Sequence, residues 1–173
     1  MEDNKKIKIQ IKSIFGNLLF EYEKENNTIK DTVEEAVRQN VSLDRASLNG
    51  ASLNWASLNG AENIPYIPFA CPSDGAFIGW KKVNGHLIKL EIPEDAQRCS
   101  ATTNKCRCDK AMVVSITDIK TGAERKHITN TNYAKTTYTV GKMVYPDSFD
   151  ENRWNECSNG IHFFINKQDA INY

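Results

Sequence analysis

Residues 41–60 read VSLDR-ASLNG-ASLNW-ASLNG, four five-residue units in register. Leu43, Leu48, Leu53 and Leu58 recur every five positions, and Val41, Ala46, Ala51 and Ala56 stand two positions before them. Ala61 opens a fifth unit that breaks down. A period of five fits neither the 3.6 of a helix nor the 2.0 of a strand. It marks an internal repeat, and repeats stack. Four units bury too little alone, so the segment must pack on the N-terminal elements, the C-terminal part or another chain. Trp55 would face outward and anchor such a contact.

Working back from the repeat, residues 7–13 (IKIQIKS) alternate isoleucine with polar residues, the period of a half-buried strand. Residues 18–22 (LLFEY) form its partner across Ile14-Phe15-Gly16-Asn17, and 23–27 is a polar loop. Ile29, Val33, Ala36 and Val37 share one helical face, which predicts a helix over 29–39 with Thr28 or Asp31 as cap and Asn40 as stop.

Working forward, residues 62–72 (ENIPYIPFACP) hold three prolines and read as an extended connector. Strands are expected at 76–83, 86–92, 111–120, about 138–144 and 161–165, with Asn84-Gly85 as a type I′ hairpin turn. Residues 167–173 close the chain as a short helix or tail. The expected class is α+β, mostly β. It comprises an N-terminal hairpin and helix (1–40), the repeat (41–62), a linker (63–75) and a mainly antiparallel C-terminal α+β domain (76–173).

Lys+Arg and Asp+Glu both total 22, so the formal net charge is zero and no global basic field exists to hold duplex nucleic acid. No apolar run reaches membrane-spanning length, and the charged N-terminus is unlike a secretory signal. Five cysteines without such a signal point to free thiols and a reducing, cytoplasmic location.

Three groups of residues could carry chemistry. Residues 98–110 (RCSATTNKCRCDK) combine Arg98, Lys105, Arg107 and Lys110 with the hydroxyls of Ser100, Thr102 and Thr103, a composition suited to a phosphate. A solvated loop is the bland alternative, and no glycine-rich phosphate pattern supports the sharper one. Residues 147–173 supply Arg153, Trp154, His162 and Phe164, which could sandwich a base and clamp a phosphate, or simply fill a core. The cysteines allow a zinc site in principle, but C-x-C and C-x4-H are not chelating spacings, so buried apolar thiols and no metal are expected. Cys157 with His162 or His127 fits no nucleophile signature. No catalytic residue and no cofactor is assigned.

The five-residue units resemble the pentapeptide-repeat family. The resemblance implies a right-handed, square β-helix of about one coil, with Leu inward and Val or Ala at a corner. Long members that mimic duplex DNA are rods, and this repeat is too short for that role. The words FACPSDGAFIGWKK (69–82), KLEIPEDAQRCSAT (89–102), KCRCDKA (105–111), YTVGKMV (138–144) and FDENRWNECSNGIHFFINKQDAINY (149–173) resemble an uncharacterised, largely phage- and prophage-associated family with the same closing motif. Residues 160–164 (GIHFF), followed by Ala170–Tyr173, are also similar to the later part of ADP-ribosyltransferase-type domains. That likeness would imply an ADP-ribose-type ligand, with Glu156 the nearest candidate for a catalytic glutamate.

These readings converge on a non-catalytic accessory binding protein that sequesters an anionic, nucleotide-like host defence signal through Arg98, Ser100, Thr102, Lys105, Arg107, Arg153, Trp154, His162 and Phe164. One alternative is an adaptor that forms a homo-oligomer or grips a host protein through the repeat and Trp55. The other is an ADP-ribosyltransferase-like or nucleotide-processing enzyme using Glu156, His162 and Arg153.

Overall fold

The structure, a computed structural model, describes residues 6–48, 53, 56, 58, 67–131 and 135–173. The chain divides into two compact units, Met1–Pro68 and Phe69–Tyr173.

In the first unit β1 (Lys6–Lys12) pairs antiparallel with β2 (Leu18–Glu25), and α1 (Ile29–Arg38) follows. The expected hairpin and helix are both present, with β2 three residues longer than its apolar run. Thr28 and Asp31 act together as a capping box. The Thr28 hydroxyl accepts the Asp31 N–H, and the Asp31 carboxylate accepts the Thr28 N–H at 3.0 Å. Lys24 bonds the same carboxylate, and that contact leads in holding it down to about 2. Ile11 lies buried with Val33 and Ala36 from one face of α1. Buried Asn27 ties β2 to the helix by donating to the Tyr22 carbonyl and the Thr32 hydroxyl.

Beyond α1, the Ser47 N–H donates to the Lys12 carbonyl and the Ile14 N–H to the Arg45 carbonyl. Among the described repeat positions Leu43, Leu53, Leu58, Ala46 and Ala56 are buried and Leu48 is half-buried. The Ala46 N–H donates to Leu43 and the Ala56 N–H to Leu53, both at 2.9 Å, so one turn recurs ten residues apart. No closed β-helix is seen among the described residues. Trp55 lies outside them.

The second unit is one seven-stranded sheet with a small hairpin packed on it. In chain order come β3 (Phe77–Val83), β4 (His86–Ile92), β5 (Arg98–Ser100), β6 (Lys105–Cys108), β7 (Ala111–Asp118), β8 (His127–Asn130), β9 (Thr136–Thr139), β10 (Met143–Val144), β11 (Ile161–Phe164) and α2 (Lys167–Asn172). The sheet order is β10-β7-β4-β3-β11-β6-β5, every pair antiparallel, while β8 and β9 form a separate two-stranded antiparallel sheet. Asn84 and Gly85 both take positive φ, 46° and 76°, as the type I′ turn between β3 and β4 requires.

Neighbouring residues of a strand face opposite ways, so each face has its own cover. Val83, Ile88, Leu90, Ile92, Cys106, Cys108, Val113, Ile116, Ile161 and Phe163 form the main core, closed by Ile128 and Tyr138 of the β8–β9 hairpin. On the other face Leu87 and Phe164 pack on Ala170 of α2, with Trp80 and Ile171 alongside. Gly79 lets the wholly buried Phe163 ring lie against its backbone; a Cβ there would sit 2.6 Å from ring carbon Cδ2.

Two expectations are corrected. Residues 98–110, read as a polar loop that is either phosphate-binding or solvated, are mostly the β5–β6 hairpin at the sheet edge, with Lys105–Cys108 buried throughout. Cys106 and Cys108 supply the inward period-2 pattern there, which the charges between them mask. The strand expected over 138–144 is two strands, β9 and β10, separated by a turn at Val140–Gly141.

Candidate functional site

The cationic and aromatic stretches meet on adjacent strands. β6 lies between β5 and β11, with Cys99 opposite Arg107 on one side and His162 opposite Arg107 on the other. Lys105 likewise stands opposite Phe164.

The three arginines direct their donors to backbone carbonyls. Arg107 is almost wholly buried, and its guanidinium donates to the carbonyls of Asn159 (2.7 Å), Asp150 (2.9 Å) and Asn152 (2.9 Å) while stacking on Phe149. The planar fork thus holds the loop before β11 in shape. Asp150 balances that charge; hydrogen bonds from Ser158 and Asn155 hold its carboxyl down to about 2. Arg98 gathers the carbonyls of Pro93, Glu94, Ala96 and Gly75 over the Phe77 ring. Arg153 donates through Nε to Ser100 O at 2.8 Å and through Nη2 to Ala101 O at 3.4 Å. Its guanidinium lies between two aromatic rings, 4.4 Å from the Phe69 centroid and 4.5 Å from that of Trp154.

The remaining expected residues surround this framework. The Ser100 hydroxyl is buried and accepts the Ala70 N–H at 2.8 Å. Thr102 Oγ1 is enclosed without a protein hydrogen-bond partner. Thr103 bonds the Glu156 carboxylate. Buried Lys105 places Nζ 3.2 Å from Cys157 Sγ and over the Tyr173 ring. Phe164 packs on Tyr173 at 5.2 Å. His162 bonds the Ser158 carbonyl through Nε2 at 2.9 Å, so Cys157 meets Lys105 and His162 is engaged elsewhere. Burial, reinforced by the charges of Lys81 and Lys105, pushes His162 down to about 4, and the ring is neutral near pH 7.

Two participants escaped the sequence reading. Phe69 lies in the segment read as an extended connector, yet its ring lies 4.4 Å from the Arg153 guanidinium. Lys81 bonds the His162 carbonyl at 3.1 Å, and burial pushes its ammonium down to about 8. The legible signal for Lys81 was its place in the inward register of β3, between Gly79 and Val83. Among the described residues no group of three or more His, Cys, Asp or Glu side chains is arranged to hold a metal ion.

Residues 67–170 match a family of unknown function (DUF5758). The chain belongs to that family. The DUF5758 match spans the seven-stranded sheet, the three arginine clusters and most of α2. No curated protein matches the chain, and no solved structure does.

Proposed function

We propose that this DUF5758 chain is a non-catalytic accessory binding protein of phage type that sequesters an anionic, nucleotide-like defence signal in the host cytoplasm. The observation that carries the reading is the Phe69–Arg153–Trp154 stack. All three arginines serve backbone carbonyls, and Arg153 differs from Arg98 and Arg107 in lying against two aromatic rings, so the reading centres on its stack. An aromatic ring held flat by a guanidinium accepts a base by stacking, worth about 1–3 kcal/mol per base. The guanidinium charge favours the phosphate beside it. Isothermal calorimetry and a thermal-shift panel of cyclic nucleotides and ADP-ribose derivatives test this. A compound that raises Tm for the wild type and much less for Trp154→Ala supports it; no response to any of them overturns it.

A second reading, a homo-oligomeric adaptor acting through the repeat coil, is favoured by a separate observation. The β1–β2 tip exposes Ile14 (63%), Phe15 (69%) and Leu18 (54%), an apolar patch next to the repeat in sequence. Light scattering coupled to size exclusion discriminates. A dimer that Trp55→Ala or Phe15→Ser converts to monomer supports it, and a monomeric wild type counts against it.

A further inference from the structure

An amine and a thiol of the second unit are in direct contact. Lys105 opens β6, and Cys157 lies in the turn-rich loop before β11, yet Lys105 Nζ stands 3.2 Å from Cys157 Sγ. The pair is asymmetric. Lys105 is 2% exposed, whereas Cys157 is exposed, the other four cysteines being buried. Solvent therefore meets the sulfur, and the amine lies behind it.

Both backbones are held through the same atom. Thr103 Oγ1 accepts the Lys105 N–H at 3.1 Å and donates to the carboxylate of Glu156, the residue before Cys157. On the far side of Cys157 the Ser158 N–H donates to the Asn155 carbonyl at 3.1 Å. The ammonium is confined further over the Tyr173 ring, 5.6 Å from its centroid. The approach of nitrogen to sulfur is thus built into the fold. We propose that Lys105 and Cys157 are a modification site for hydroperoxides, closing to a covalent Nζ–Sγ bond, a sulfenamide.

The chemistry balances. Cys157 gives its proton to solvent, and Sγ attacks one oxygen of hydrogen peroxide. The O–O bond breaks, and hydroxide leaves and takes up a proton as water. The sulfur is now a sulfenic acid, oxidised by the two electrons that reduced the peroxide. Such a sulfur condenses with a nearby nitrogen. Lys105 sheds one proton to solvent, its lone pair attacks Sγ, and the hydroxyl departs as water with a second proton from the nitrogen. One thiol, one ammonium and one peroxide give one N–S bond, two waters and one proton. Excess thiol reverses the bond by attacking Sγ and returning the amine. The bridge fastens the loop to β6 beside the Asn159 and Ser158 carbonyls that Arg107 and His162 hold. It forms independently of any ligand at the Arg153 stack.

The test treats the full reduced chain with equimolar hydrogen peroxide and reads it by mass spectrometry, intact and after tryptic digestion. The main product should have lost two hydrogens and gained no oxygen. Its digest should join the Lys105 and Cys157 peptides, with no cleavage after Lys105, and dithiothreitol should separate them. Four thiols should remain alkylatable after unfolding, where a disulfide would leave three. Cys157→Ser should abolish the product, and treatment in urea should give oxygenated Cys157 without the bridge. Replacing buried Lys105 endangers the fold, so the peptide map of the wild type decides. A thiol or oxygenated Cys157 beside a cleavable Lys105, a disulfide through Cys157, or a bridge formed equally in urea overturns the assignment.

Discussion

Arg107 shows how a charge can be spent on shape. Its guanidinium, almost wholly buried, donates to three carbonyls of the loop before β11, two of which (Asn152 and Asn159) also accept a backbone N–H. Replacing Arg107 with Met should lower stability by about 1–3 kcal/mol, since the charge-assisted hydrogen bonds that hold this loop are lost. Arg107→Lys should recover only a minor part, because a single ammonium cannot reproduce the fork. Urea denaturation of the three proteins checks this. His162 gives a second expectation at the same scale. Its folded value of about 4 lies below its ordinary 6.5, so the unfolded chain binds the proton first as pH falls. The contribution of neutral His162 is complete above about pH 6.5 and declines as pH drops towards 4, by at most about 1.4 kcal/mol per unit. The carboxylates of Asp31 and Asp150, held at about 2 by their hydrogen bonds, titrate below that window. Denaturation midpoints from pH 4 to 7 should fall more steeply for the wild type than for His162→Gln.

At the scale of elements, β3 and β11 depend on a missing side chain. Gly79→Ala would drive a methyl into the Phe163 ring, and the ring has no open side to move into. A loss of about 1–3 kcal/mol is expected. If the clash is the cause, Phe163→Leu should cost less in the Gly79→Ala background than in the wild type, which a double-mutant cycle by thermal unfolding reads directly. The β3–β4 hairpin was fully legible in the sequence because its alternation and its Asn84-Gly85 turn agree. The β5–β6 hairpin was not. Arg98, Lys105 and Arg107 look like solvated residues, and their burial is made tolerable by partners brought from elsewhere: carbonyls of Gly75 and residues 93–96 for Arg98, carbonyls of residues 150–159 for Arg107, and Cys157 Sγ for Lys105.

At the scale of the molecule, the main core and all seven strands of the large sheet lie within Phe69–Tyr173. The family match covers nearly the same residues. Residues 69–173 expressed alone should unfold in one cooperative transition, with a midpoint within a few degrees of the corresponding transition of the full chain. Calorimetry of the two proteins tests this. A fragment that fails to fold would mean that residues before Phe69 complete its core.

Local order in this protein was written in the sequence. Alternation gave the β1–β2 and β3–β4 hairpins, a helical stripe with a cap candidate at Thr28 gave α1, and the five-residue period marked a repeat in which Leu43, Ala46, Leu53, Ala56 and Leu58 are buried. Those signals are legible because they depend on residues close in the chain. Where the charged residues of 98–110 point, which side chain meets Cys157 and which aromatics enclose Arg153 depend on partners tens of residues away. The tertiary structure decided those, because a buried guanidinium or thiol is stable only where the rest of the fold supplies its acceptors, its counter-charge or its apolar neighbours.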